Sequence, residues 1–110
     1  MDLTLRIRHT GEHLFMGGVF DDPAELSHTA YFEKLNAEQA TGQNRLPLSD
    51  TEALRNRRLL YWAMTEVGFA NYPYEWWHFD WGTQFWVINC TKADASARPE
   101  CAWYGPAKLP

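Results

Sequence analysis

With 110 residues, 45% of them hydrophobic and 15% aromatic, the chain is long enough for one small core and no more. A net charge of -4 and a pI near 5.5 argue against a nucleic-acid or membrane-surface partner, because both demand a basic patch. No apolar run approaches the ~20 residues that span a bilayer, and no signal-peptide pattern opens the chain. A cytoplasmic protein is therefore expected, or a periplasmic one if a leader precedes these residues. Cys90 and Cys101 lack the C-x-x-C spacing of a redox or zinc-ribbon site and are expected to be unpaired thiols. Without repeats or long linkers, residues 1–110 are expected to form a single domain.

Leu3, Leu5 and Ile7 alternate with Asp2, Thr4 and Arg6, the period of a half-buried strand. Thr10-Gly11-Glu12 supplies a turn and His13–Met16 a returning strand, so residues 2–17 are expected to form a hairpin. Pro23 turns the chain into a loop, and residues 24–48 read as irregular around one short helix. The clearest helix runs from about Asp50 to Val67. Ser49 and Glu52 have capping-box spacing, Leu60, Ala63, Met64 and Val67 share a side, and Gly68 sits where a helix ends. Arg55 to Arg58 read as a solvated face. After Pro73 a strand is expected through Trp81, a turn at Gly82-Thr83, and a second strand at Phe85–Ile88. Residues 92–110, rich in alanine and proline, read as an irregular tail. The expected fold is α+β: a small, mainly antiparallel sheet of two hairpins with a helix packed on one face.

The stretch Tyr72-Pro73-Tyr74-Glu75-Trp76-Trp77-His78-Phe79-Asp80-Trp81 carries the chemistry. Apolar surroundings strengthen charge interactions and raise a carboxylate toward the pKa of a general base. Neutral imidazole is a common zinc ligand. The plainer reading is an aromatic core strand whose Glu75 and His78 point outward. A zinc hydrolase needs three protein ligands and an open position for water. His78 suits a ligand and Glu75 the base that takes the water's proton. Asp2, on the polar face of the first strand, is the candidate second ligand, although an aspartate opening a strand is usually a surface residue.

Met1-Asp2-Leu3-Thr4-Leu5, Met16-Gly17 followed by Phe20-Asp21-Asp22, Ser27-His28-Thr29 and Glu75-Trp76-Trp77-His78-Phe79 occur in an order that resembles the zinc D-alanyl-D-alanine dipeptidases of VanX type. The correspondence spans roughly residues 1–88. The resemblance implies zinc as cofactor, Asp2 and His78 as metal ligands, and Glu75 as general base. It further implies that Asp22 pairs with the free ammonium of a small D,D-dipeptide, and that Trp76, Trp77 and Phe79 wall the site. The family's first histidine ligand belongs to a Ser-x-His-x-x-Gly-x-Ala-x-Asp pattern. It would lie seven positions before Asp2, so residues 1–110 correspond to the C-terminal part of the domain. Little or no activity is expected of this part alone.

On a regular strand Glu75 and His78 would face opposite ways, so both reach one centre only if Glu75 lies in the turn after Pro73 or a bulge shifts the register. His28 reads as structural, and His9 and His13 as solvent-exposed. The competing functions are a zinc D,D-carboxypeptidase or peptidoglycan-lytic peptidase, and a non-catalytic relic or binding module.

Overall fold

In a computed structural model, residues 1–42, 45–93 and 101–105 are described. Helix α1 spans Tyr31–Ala40, α2 Leu48–Thr65 and α3 Gln84–Ala93. Strands β1 (Ala70–Asn71) and β2 (Phe79–Asp80) pair antiparallel, Ala70 opposite Asp80 and Asn71 opposite Phe79. A 3-10 turn at Glu25–Ser27 precedes α1. The α+β class holds, and the sheet is smaller than expected.

α2 organises the interior. Its buried residues are Ala53, Leu54, Arg57 and Leu60, a stripe at helical spacing. Leu60 joins Met16, Trp76, Trp77 and Phe79 in one apolar cluster, against which Leu3, Leu5 and Leu14 of the N-terminal segment pack. Ala53 and Leu54 join Phe32 of α1 in a second. Leu59, Ala63 and Val67 lie outside this stripe on the exposed side, so the apolar face is rotated from the one read off the sequence. Arg57 is a correction as well: it is buried between the two clusters rather than solvated.

The start of α2 also differs from expectation. Pro47 occupies the cap position without a side-chain hydrogen bond, and Ser49 donates its hydroxyl to Asp50 instead of capping the helix. The end follows the glycine rule. Gly68, at φ +93°, donates to the Thr65 carbonyl, and Phe69 donates to that of Met64. These are the paired bonds of a Schellman motif, closed by Phe69 and Met64 packing on the same cluster.

The segment read as the last strand is α3. Thr83 Oγ1 accepts the Trp86 N–H at 3.0 Å, an N-cap bond that starts a helix where a hairpin turn was expected. Trp86 then donates Nε1–H to the Gly68 carbonyl at 2.8 Å, locking α3 against the junction of α2 and β1. β2 therefore pairs backward with β1 and not forward with residues 85–88. At the other end of the chain, residues 2–17 double back as expected, through an antiparallel bridge of Arg6 with His13 and the bond from Leu14 N–H to Leu5 carbonyl. No continuous ladder forms there. Among the described residues no helix is long and apolar enough to cross a membrane. The expected irregular tail lies largely outside the described residues. Within it, Trp103 and Tyr104 donate to the Gly82 carbonyl.

Candidate functional site

Extended chain at the N-terminus lies antiparallel beside the tryptophan-rich segment. Leu3 N–H donates to the Trp77 carbonyl at 3.0 Å and Phe79 N–H to the Met1 carbonyl at 2.8 Å. Asp2 and His78 are thus directly opposite across one bridge. Cross-strand partners of this kind hold their side chains side by side, and Asp2 Oδ1 stands 2.7 Å from His78 Nδ1. The proximity is set by backbone pairing over 76 residues of sequence, not by a chance surface encounter.

Glu75 reaches the same face because it is not on a strand. Residues 73–77 form a turn in which Glu75 N–H donates to the Tyr72 carbonyl and His78 N–H to that of Glu75. That turn places Glu75 Oε2 3.8 Å from His78 Nδ1. Of the two ways to reconcile their spacing, the chain uses the turn after Pro73.

Two residues to which the sequence reading gave no part in the site fix this turn. Asn71, buried in β1, donates its side-chain amide to both the Glu75 carbonyl at 3.1 Å and the His78 carbonyl at 3.0 Å. Thr29 donates its hydroxyl to Asn71 Oδ1 at 2.6 Å. The second is Arg57. Its guanidinium donates to the carbonyls of Met16 (2.7 Å), Leu26 (2.9 Å) and His28 (3.1 Å), and lies over the rings of Phe32 and Trp76. Burial pulls its pKa down to about 10, an effect only partly offset by Tyr31, so it stays charged at neutral pH. Between the Leu26 and His28 carbonyls, that of Ser27 accepts the Trp76 N–H at 2.9 Å. The path α2, loop 26–28, Trp76 therefore anchors the residue that separates Glu75 from the core.

Trp76, Trp77 and Phe79 are a floor beneath the site rather than its walls: all three point into the core, at 3% exposure or less. Beside His78 stand Tyr72, with ring centroids 6.0 Å apart, and beyond it Tyr74, against which His28 packs edge-on. His28 is accordingly a packing residue, and His9 and His13 are exposed. Asp22 lies in the loop before the 3-10 turn, where its Oδ1 accepts the Ala24 N–H at 2.9 Å. Phe20, two residues earlier, touches Trp76 and Trp77, but among the described residues no hydrogen bond or ion pair joins Asp22 to Asp2, Glu75 or His78. Cys90 and Cys101 are free thiols, and burial raises that of Cys90.

Asp2 and His78 offer the oxygen and imidazole nitrogen that zinc prefers. Among the described residues, no group of three or more His, Cys, Asp or Glu is arranged to hold a metal ion. The donor types fit and the donor number does not: two stand where three are needed.

A model of the D-Ala-D-Ala dipeptidase family matches residues 1–94. The chain is 39% identical over 80 residues to the D-alanyl-D-alanine dipeptidase of Escherichia coli (strain K12), covering 73% of this chain and 33% of that protein. It is 38% identical over 79 residues to the D-alanyl-D-alanine dipeptidase of Enterococcus faecalis (strain ATCC 700802 / V583), and 40% over 79 residues to that of Enterococcus faecium. Each of these matches covers 72% of this chain and 32% of the relative. The chain thus spans about a third of the length of the curated relatives it matches. No solved structure matches it.

Proposed function

We propose that this chain, which belongs to the D-Ala-D-Ala dipeptidase family, supplies the general base and two metal donors of a zinc-dependent site that hydrolyses D-alanyl-D-alanine. The observation that carries this reading is the bridged pair Asp2–His78, 2.7 Å apart, with Glu75 on the same face. When bound, zinc polarises a carbonyl and lowers the pKa of its water toward ~7. Asp2 and His78 would hold it, and a third donor is proposed to lie in the part of the relatives that this chain does not cover.

Glu75 takes the proton of the attacking water and hands it to the departing amine. Its place in a turn, off the ladder, allows its carboxylate to swing between those positions while Asn71 keeps its backbone fixed. Asp22 pairs with the substrate ammonium, favouring a short substrate with a free amino end. The substrate is a D,D-dipeptide of the kind destined for cell-wall precursors. The names of the relatives favour a free dipeptide over the stem peptides of a D,D-carboxypeptidase or wall-lytic enzyme. A non-catalytic module is the second reading, favoured by the donor shortfall among the described residues.

The test exchanges the aligned segment of this chain into the Escherichia coli relative and follows D-alanine release. The chimera is expected to hydrolyse D-Ala-D-Ala, and Glu75→Gln to lower its kcat by roughly 10²–10⁴-fold with zinc content and circular dichroism unchanged. A folded, zinc-loaded chimera without hydrolysis would remove the enzymatic reading in favour of the module, and an active one indifferent to Glu75→Gln would remove Glu75 as the base.

A further inference from the structure

The second half of α2, Leu59-Leu60-Tyr61-Trp62-Ala63-Met64, is apolar all the way round the helix. Leu60 and Met64 pack into the core cluster, whereas Leu59 and Trp62 stand on the outer side at 57% and 60% exposure. A helix that is apolar all round is one covered on more than one side, and the described residues cover only one. Trp62 borders a groove of about 880 Å³ between α2, β1 and α3, with Tyr61, Phe69 and Trp86 in its lining.

We propose that this groove seats an apolar polypeptide segment from the part of the D-Ala-D-Ala dipeptidase domain that this chain does not match. Its chemistry narrows the occupant. Of the charged residues in the lining, Arg58 pairs with Glu33 at 2.6 Å and Arg57 is turned onto the Met16, Leu26 and His28 carbonyls. The groove therefore calls for an uncharged, apolar surface. Length names its source: the matches leave about two thirds of each relative unaccounted for. A second copy of this chain would leave that polypeptide without a seat. The groove also joins the supports of the site, since Thr29 and Asn71, which hold the Glu75 turn, lie in its lining. A segment placed there abuts the turn from beneath. The inference rests on family membership and not on hydrolysis.

The test is hydroxyl-radical footprinting, read by mass spectrometry, of the chain diluted until monomeric and of the chimera with the Escherichia coli relative. In the chain alone Trp62 is expected to be oxidised as an open side chain. In the chimera its rate is expected to fall to that of Trp77, a core residue at 1% exposure. Trp62→Lys should leave the urea midpoint of the monomeric chain unchanged and lower that of the chimera. Trp62 open in a folded chimera overturns the proposal, as does a chimera midpoint indifferent to Trp62→Lys. Trp62 already protected in the monomeric chain overturns it too, because a segment of this chain is then the occupant. Protection that appears only as the chain self-associates, with Trp62 open in the chimera, assigns the groove to a second copy instead. Should the chimera fail to fold, a tryptophan placed at the aligned position of the intact relative is footprinted and decides in the same way. A folded chimera that protects Trp62 without hydrolysing D-Ala-D-Ala supports the seat while removing the enzymatic reading.

Discussion

Arg57 sets the terms at the residue scale. A guanidinium at 4% exposure is tolerable because three carbonyls satisfy its Nε and Nη1 and two aromatic faces cover it, while its Nη2 is buried without a hydrogen-bond partner. Lysine would keep the charge but lose the planar fork that reaches the Met16, Leu26 and His28 carbonyls together. Arg57→Lys is expected to cost roughly 2–4 kcal/mol, the sum of lost charged bonds and carbonyls left without donors. Urea melts read this directly, and an unchanged midpoint would show the clamp to be ornamental. The charge of Arg57 hides it in the sequence, yet its spacing does not: Ala53, Leu54 and Leu60 fall on the same stripe. Asp2, Glu75 and His78 are legible because motif order points to them. Asn71 is not, because its role depends on a strand register and a turn that no periodicity encodes.

Elements show where local rules succeed and where they mislead. The helix stop at Gly68 is readable since one residue type fulfils one backbone need. The run Phe85–Ile88 is not, because four apolar residues fit a strand or a helix equally, and the deciding group is the hydroxyl of Thr83. Two glycines separate backbone need from packing need. Gly68 has φ +93° and a Cβ there would meet Trp81 Nε1 at 3.8 Å, an ordinary contact. Gly68→Ala should therefore cost only the left-handed backbone penalty, about 1–2 kcal/mol. Gly17 has φ +76°, and a Cβ there would sit 2.5 Å from the Phe32 ring and 2.9 Å from Ala53 Cβ. Neither neighbour yields easily, since both are buried where α1 meets α2, so an overpacking cost of about 1–3 kcal/mol is added. Denaturation midpoints are expected in the order unaltered chain, Gly68→Ala, Gly17→Ala. A reversed order of the two variants would mean that the loop at Gly17 moves freely away from α1.

At the scale of the whole molecule, the described surface leaves large apolar side chains uncovered: Leu59 and Trp62 on the outer side of α2, Val67 just beyond its end and Phe85 on α3 are each more than half exposed. A groove of about 880 Å³ between α2, β1 and α3, with Tyr61, Trp62, Phe69 and Trp86 in its lining, lies next to them. At about 25 cal/mol per Å², covering even 400 Å² of such surface offsets about 10 kcal/mol of association cost. The chain by itself is therefore expected to self-associate as its concentration rises, eluting above 12.8 kDa in light-scattering chromatography. Trp62→Lys with Phe85→Lys should return it toward the monomer without loss of helicity, since neither side chain belongs to the buried clusters. A sharp monomer peak with a cooperative melt in the unaltered chain would show instead that the small core around Leu60 and Trp77 suffices alone.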